Sequence, residues 1–228
     1  MVIKNVHKPR ITDVTVDVDA DISINGTLCI PDNARGIVVF AHGSGSSRFS
    51  PRNRFVAEIL QQGQLATLLI DLLTPEEEQV DLQTRHLRFD IVLLTKRVCG
   101  ATKWLRENDQ TSKLSIAYFG ASTGAAAALS AADQVGEDIC AVVSRGGRPD
   151  LAEACLSEVK SPTLLIVGGD DPVVIELNEM ALAMLNCEKE LVIIPGATHL
   201  FEEPGKLEIV AETARKWFVR YFEREEVT

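Results

Sequence analysis

Hydrophobic residues in this chain fall into short dense runs separated by longer segments with helical spacing, and the two patterns alternate. Gly36-Ile37-Val38-Val39-Phe40-Ala41 is continuous and rich in β-branched side chains, as expected of a strand buried on both faces of a parallel sheet. Similar runs recur at 65–72, 114–119, 139–144, 163–167 and 190–194. Between them, 53–61 (apolar at Phe55, Ile59 and Leu60), 89–106 (Ile91, Leu94, Val98, Ala101, Leu105), 123–132, 173–185 and 206–223 read as helices. Ahead of these, 13–18 and 21–30 predict an antiparallel opening, with Asn25-Gly26 as an alternative hairpin turn. Thr74-Pro75-Glu76-Glu77-Glu78 reads as an acidic loop.

Strands separated by helices in this way predict right-handed crossovers and a mostly parallel central sheet of about eight strands, with helices on both faces. Residues 1–228 contain no internal repeat, low-complexity linker or break in composition, so the expectation is a single α/β domain.

Composition narrows the function classes. A formal net charge of -10 with no compensating basic stripe argues against nucleic acid or an anionic membrane as partner. The five cysteines (Cys29, Cys99, Cys140, Cys155, Cys187) are odd in number and widely spaced, without a C-x-x-C pair. That pattern predicts no zinc site and reduced thiols in a cytosolic protein. The first ten residues lack the apolar core of a signal peptide, and no run reaches transmembrane length. The expectation is a soluble cytoplasmic protein with no metal and no cofactor.

The candidate chemistry lies where predicted strands end, since loops leaving the C-terminal ends of parallel strands share one face. The run ending at Phe119 is followed by Gly120-Ala121-Ser122-Thr123-Gly124 and then by an alanine-rich helix. G-x-S-x-G at a sharp strand-to-helix corner exposes the serine hydroxyl, and the helix N-terminus faces any oxyanion formed beside it. Two later loops supply partners. Gly168-Gly169-Asp170-Asp171-Pro172 carries two carboxylates, and Pro195-Gly196-Ala197-Thr198-His199 carries a histidine just before the last helix.

Serine needs a base to take its proton, and the base needs a carboxylate behind it to fix its tautomer and accept its positive charge. Ser122, His199 and Asp171 fill these roles, with Asp170 and Asp150 as alternative acids. The backbone N–H groups of Thr123 and Ser44 are the candidate oxyanion donors. His42, directly after a buried strand, competes as base but reads better as shaping the oxyanion loop; His7 and His86 read as incidental.

Taken together, His42-Gly43-Ser44-Gly45-Ser46-Ser47, Gly120–Gly124, Gly168-Gly169-Asp170-Asp171 and Gly196-Ala197-Thr198-His199-Leu200-Phe201 resemble the α/β-hydrolase superfamily, and within it the dienelactone hydrolase-like serine hydrolases. The resemblance implies an α/β-hydrolase fold and a carboxylic ester hydrolase working through an acyl-enzyme. It also favours Asp171 over Asp170, because the family's acid lies in a Gly-x-x-Asp loop. The sequence departs from true dienelactone hydrolases at the nucleophile, which there is cysteine and here is Ser122. General acyl-ester chemistry is thereby favoured over their particular lactone hydrolysis. Thioesterase, lactonase and acyltransferase activities share the triad, and a non-catalytic binding protein retaining the fold is the reading from a different class.

Only 145–150 separates one strand from the next helical pattern, which leaves no room for a substantial lid. The expected substrate is therefore a small soluble ester rather than a lipid interface. Arginines recur on the same face: Arg48, Arg52 and Arg54 after one strand, Arg145 and Arg148 after another, with Arg85 nearby. Some of them are expected to bind an anionic substrate group, with Arg145, Arg148 and Arg48 as the candidates. The competing expectation is that loop arginines pair with Glu76, Glu77, Glu78, Glu202 or Glu203.

Overall fold

The computed structural model describes residues 10–225, so His7 lies outside the described residues. One eight-stranded sheet runs through them in the order β1-β2-β4-β3-β5-β6-β7-β8. β1 (Arg10–Asp19) and β2 (Ile22–Ile30) form an antiparallel hairpin, and β2 pairs antiparallel with β4 (Ala66–Ile70). From β4 onward every pairing is parallel, through β3 (Ile37–Ala41), β5 (Ile116–Ala121), β6 (Ile139–Arg145), β7 (Thr163–Gly168) and β8 (Lys189–Ile194).

The continuous apolar runs behave as their composition requires. In β3, alternate residues face opposite sides: Ile37, Val39 and Ala41 join one core, Val38 and Phe40 the other. The first core is closed by α3 (Ile91–Glu107), α4 (Thr123–Val135) and α5 (Pro172–Met184). The second is closed by α1 (Pro51–Gln62) and α6 (Lys206–Glu225), with Phe40 against Phe119 at a ring separation of 4.8 Å. Tyr118 is the one phenol carried deep into the first core, and its hydroxyl meets Thr102 Oγ1 at 2.6 Å. Burial of a polar group there is tolerable because it is hydrogen-bonded.

Two readings of the sequence need correction. Asn25-Gly26 is not a turn: it lies within β2, where Thr15 pairs with Asn25 and Val14 with Gly26. The chain reverses instead between Asp19 and Ile22. The acidic segment after β4 is not a loop but α2 (Pro75–Thr84). Its first turn is a capping box, in which the Thr74 hydroxyl accepts from the Glu77 N–H and the Glu77 carboxylate accepts from the Thr74 N–H. Proline at the first helical position and three glutamates facing the positive end of the dipole reinforce it.

The corner between β5 and α4 is held by close backbone approach. A Cβ on Gly120 would lie 2.4 Å from Ala125 Cα, and one on Gly124 would lie 2.3 Å from the Ala41 carbonyl oxygen. Only hydrogen fits at either place. The small residues Ala125–Ala128 continue the close fit, all buried against the sheet. Ser122, between the glycines, adopts φ 51 and ψ -122, a strained conformation for an L residue that the packing on both sides imposes.

Candidate active site

Four loops meet at the C-terminal ends of β3, β5, β7 and β8. The β3–α1 loop passes over Ser122: a Cβ on Gly43 would lie 3.0 Å from Ser122 Cβ and 3.7 Å from its Oγ. The loop after β8 brings His199 to the same cleft, where Ser122, His199, Ser44 and Arg145 share the lining. The loop after β7 supplies Asp171, whose Oδ2 accepts a hydrogen bond of 2.8 Å from His199 Nδ1. Asp171 stands at the N-cap position of α5, yet its side chain makes no capping bond. Its carboxylate is committed to the histidine.

The alternative acids are placed elsewhere. Asp170 is exposed, with its backbone N–H bonded to the Ala197 carbonyl. Asp150 accepts two bonds from Arg148, at 2.9 Å from Nε and 2.7 Å from Nη2.

His42 has a different task. Its Nε2 accepts from the Leu72 N–H at 3.1 Å, so the ring proton is on Nδ1, which donates to the Gly43 carbonyl at 2.9 Å. Both nitrogens are therefore spent on tying the β3–α1 loop to the end of β4. Burial lowers the His42 pKa, against smaller opposing contributions from the Gly43 carbonyl, Asp71 and Glu78. A histidine held neutral in the fold and free to protonate when unfolded contributes stability that is present above about pH 6.5 and lost as pH falls below it. Between pH 7.5 and pH 5.5, wild type should lose up to about 1.4 kcal/mol more than His42→Gln in urea unfolding. Equal losses in the two proteins would exclude this role.

The loop 43–46 divides two clefts. One, of about 220 Å³, holds Ser122, His199, Arg145, Arg52, Ser50 and Asn53. The other, of about 130 Å³, lies between the loop and α2 and is lined by Leu72, Leu82, Leu94, Thr123 and the Asp81–Arg88 pair. Asp81 is buried and Arg88 Nε donates to it at 2.5 Å, which with further Arg88 bonds holds the Asp81 carboxyl below its ordinary pKa despite desolvation. Both clefts fall below the ~300–1,000 Å³ usual for drug-sized ligands.

Of the three arginines singled out in the sequence, Arg48 and Arg148 are engaged by carboxylates. Arg48 pairs with Asp71 through both its backbone N–H and its guanidinium, and Arg148 pairs with Asp150. Arg145 is different: it is only 6% exposed, and no hydrogen-bond partner reaches its Nε or Nη1. Arg52, one of the recurring loop arginines, joins it in the cleft at the start of α1, together with Ser50 and Asn53, which were not singled out from sequence. A serine just before a proline-initiated helix, directly after the oxyanion loop, was the available signal. Arg85 caps the C-terminus of α2 in a left-handed conformation.

A mostly parallel eight-stranded sheet, with a strained serine at a strand-to-helix corner and a histidine–aspartate pair from the last strand ends, defines an α/β-hydrolase. The chain belongs to the dienelactone hydrolase family, whose model matches residues 24–224. Similar structures agree. A dienelactone hydrolase from Anabaena variabilis is 61% identical, with a TM-score of 0.93 over 94% of this chain and 99% of that one. The esterase domain of a Rhodothermus marinus protein shares the fold at 18% identity, with a TM-score of 0.73 over 93% of this chain and 99% of that one. Two Mycobacterium tuberculosis proteins, named provisionally as phosphoribosyl transferases, are 55% identical over 212 residues, which is 92% of this chain. The chain spans about half the length of these relatives, 47%. Among the described residues no helix is long and apolar enough to cross a membrane.

Proposed function

We propose that this protein is a serine hydrolase of small carboxylic esters. Ser122 Oγ attacks the ester carbonyl, and His199 takes the hydroxyl proton and passes it to the leaving alkoxide. Asp171 holds the imidazole with Nδ1–H toward itself, which leaves Nε2 as the base. Attack forms the Ser122 Oγ–carbon bond and places negative charge on the carbonyl oxygen. The Thr123 N–H, at the first position of α4 and so without an intrahelical acceptor, and the Ser44 N–H stabilise that charge. Collapse breaks the carbon–alkoxide bond and leaves an acyl-enzyme, which water activated by His199 hydrolyses.

The observation that carries this reading is the 2.8 Å His199–Asp171 bond at the rim of the cleft that Ser122 lines. The transferase name comes from proteins about twice as long. What favours the hydrolase reading for this chain is its own cluster of Ser122, His199 and Asp171.

A panel of p-nitrophenyl esters of increasing acyl length tests the proposal. Acetate and butyrate should turn over, and rates should fall for long chains, since the cleft beyond the oxyanion loop is small and only partly lined by leucines. Turnover of none of them would favour a binding protein that merely retains the fold. The cognate p-nitrophenyl thioester, run beside the oxygen ester, separates thioesterase preference from esterase.

A further inference from the structure

The cleft shared by Ser122 and His199 carries uncompensated positive charge. Arg145 leaves the end of β6 beside the nucleophile, where its carbonyl accepts from the Ser122 N–H at 3.2 Å. Its guanidinium is buried and lines the cleft, with Nε and Nη1 reached by neither solvent nor any hydrogen-bond partner. The Phe201 ring lies 6.0 Å from its Cζ and offers a cation–π contact. Isolated buried cations are costly and are normally paired.

Instead of a carboxylate, the neighbouring charge is another arginine. Arg52 lies on the same cleft, its outer nitrogen Nη1 bound to Glu202 at 2.9 Å on the exposed side and its buried Nε without a partner. Burial, and secondarily the charge of Arg52, press the Arg145 pKa down to about 10, which still leaves it protonated at neutral pH.

A third positive element points the same way. Ser50, Arg52 and Asn53 occupy the N-cap and first turn of the twelve-residue α1, so the positive end of its dipole faces the cleft. Ser50 Oγ accepts the Asn53 N–H, and Pro51 has no N–H, which leaves the Arg52 N–H free of an intrahelical acceptor. No aspartate or glutamate lines this cleft among the described residues. Arg145 without a carboxylate, the second guanidinium of Arg52 already shared with Glu202, and a helix N-terminus together offer more donors than one carboxylate takes up, which points to phosphate with its three terminal oxygens.

Position assigns the half of the substrate. The group that receives the proton from His199 is the leaving alkoxide, so the alcohol half lies on the His199 side of the oxyanion loop. The leucine-lined cleft beyond the loop takes the acyl half. We propose that the substrate is an acyl ester of a small phosphorylated alcohol, its phosphate held by Arg145 and Arg52 at the N-terminus of α1. This rests on the esterase reading above. The reaction is unchanged by it: the acyl–oxygen bond breaks, the alcohol leaves with the His199 proton, and the phosphate monoester stays intact.

Four acyl esters test the inference with the purified protein: 4-acetoxyphenyl phosphate, 4-acetoxybenzoate, p-tolyl acetate and phenyl hydrogen succinate. Wild type should favour the phosphate ester over the neutral tolyl ester by at least about tenfold in kcat/KM, with the carboxylate between them. It should show no preference for succinate, whose charge is on the acyl half. Inorganic phosphate should compete with p-tolyl acetate. In Arg145→Met the phosphate-to-neutral ratio should fall at least about tenfold, and Arg52→Gln should lower it in the same direction if Arg145→Met fails to fold.

Equal kcat/KM for phosphate and neutral esters, or a larger preference for either carboxylate-bearing ester, overturns the inference. So does a ratio unmoved by both variants. If p-tolyl acetate itself is not hydrolysed, the failure belongs to the esterase reading instead.

Discussion

Ser122→Ala is expected to lower kcat on p-nitrophenyl acetate by about 10⁴-fold or more, with KM little changed and the fold intact. The size follows from the group removed. Without an attacking oxygen the acyl-enzyme path is closed, and only the oxyanion donors and substrate positioning remain, which in comparable triads leave a residual 10³–10⁴ over water. The fold should survive because alanine retains the Cβ that already fits beneath Gly43 and removes only the hydroxyl. Near- and far-UV circular dichroism and the thermal midpoint check that point, and progress curves at high enzyme concentration read the loss.

Asp171→Asn should cost about 10⁴-fold in kcat, while Asp170→Asn changes it by less than about twofold. The amide offers His199 Nδ1 a donor where an acceptor stood, and the ring then presents a hydrogen rather than a lone pair to Ser122. The charge that stabilises the imidazolium is lost as well. Asp170 is exposed and makes its described bond through the backbone, so its carboxylate has nothing to do with the histidine. Comparable losses in the two variants would remove Asp171 from the assigned role.

Much of this was legible in the chain because buried parallel strands announce themselves. The runs at Ile37–Ala41 and Ile116–Ala121 are apolar without interruption, being covered on both faces. Gly120 and Gly124 flag a corner where only hydrogen fits, and the backbone distances there show why. The pairing of His199 with one of two adjacent aspartates was narrowed by resemblance; geometry separates them by turning Asp171 inward and leaving Asp170 outside.

What was illegible has physical reasons too. α2 lacks an apolar face: Val80 and Leu82 are exposed and only Asp81 is buried, so hydrophobic periodicity had nothing to report. Its local signals were the capping box at Thr74 and Glu77, Pro75 at the first helical position and the glutamates of the first turn. Arginine pairing is equally hidden, since Arg48 meets Asp71 from 23 positions away across two strand ends. Of the loop arginines, Arg48 and Arg148 pair with aspartates rather than with the loop glutamates, and Arg52 pairs with Glu202. That Arg145 would be buried without any carboxylate could not be read from a strand-end arginine followed by two glycines.

The central claim is that Ser122 is an activated nucleophile, and a fluorophosphonate reads that directly. Incubation of wild type with the probe at neutral pH should add one phosphonyl group to the intact mass, on the peptide containing Ser122, and Ser122→Ala should acquire none. A correctly folded wild type that remains unlabelled, or a label that persists in Ser122→Ala, would contradict the account.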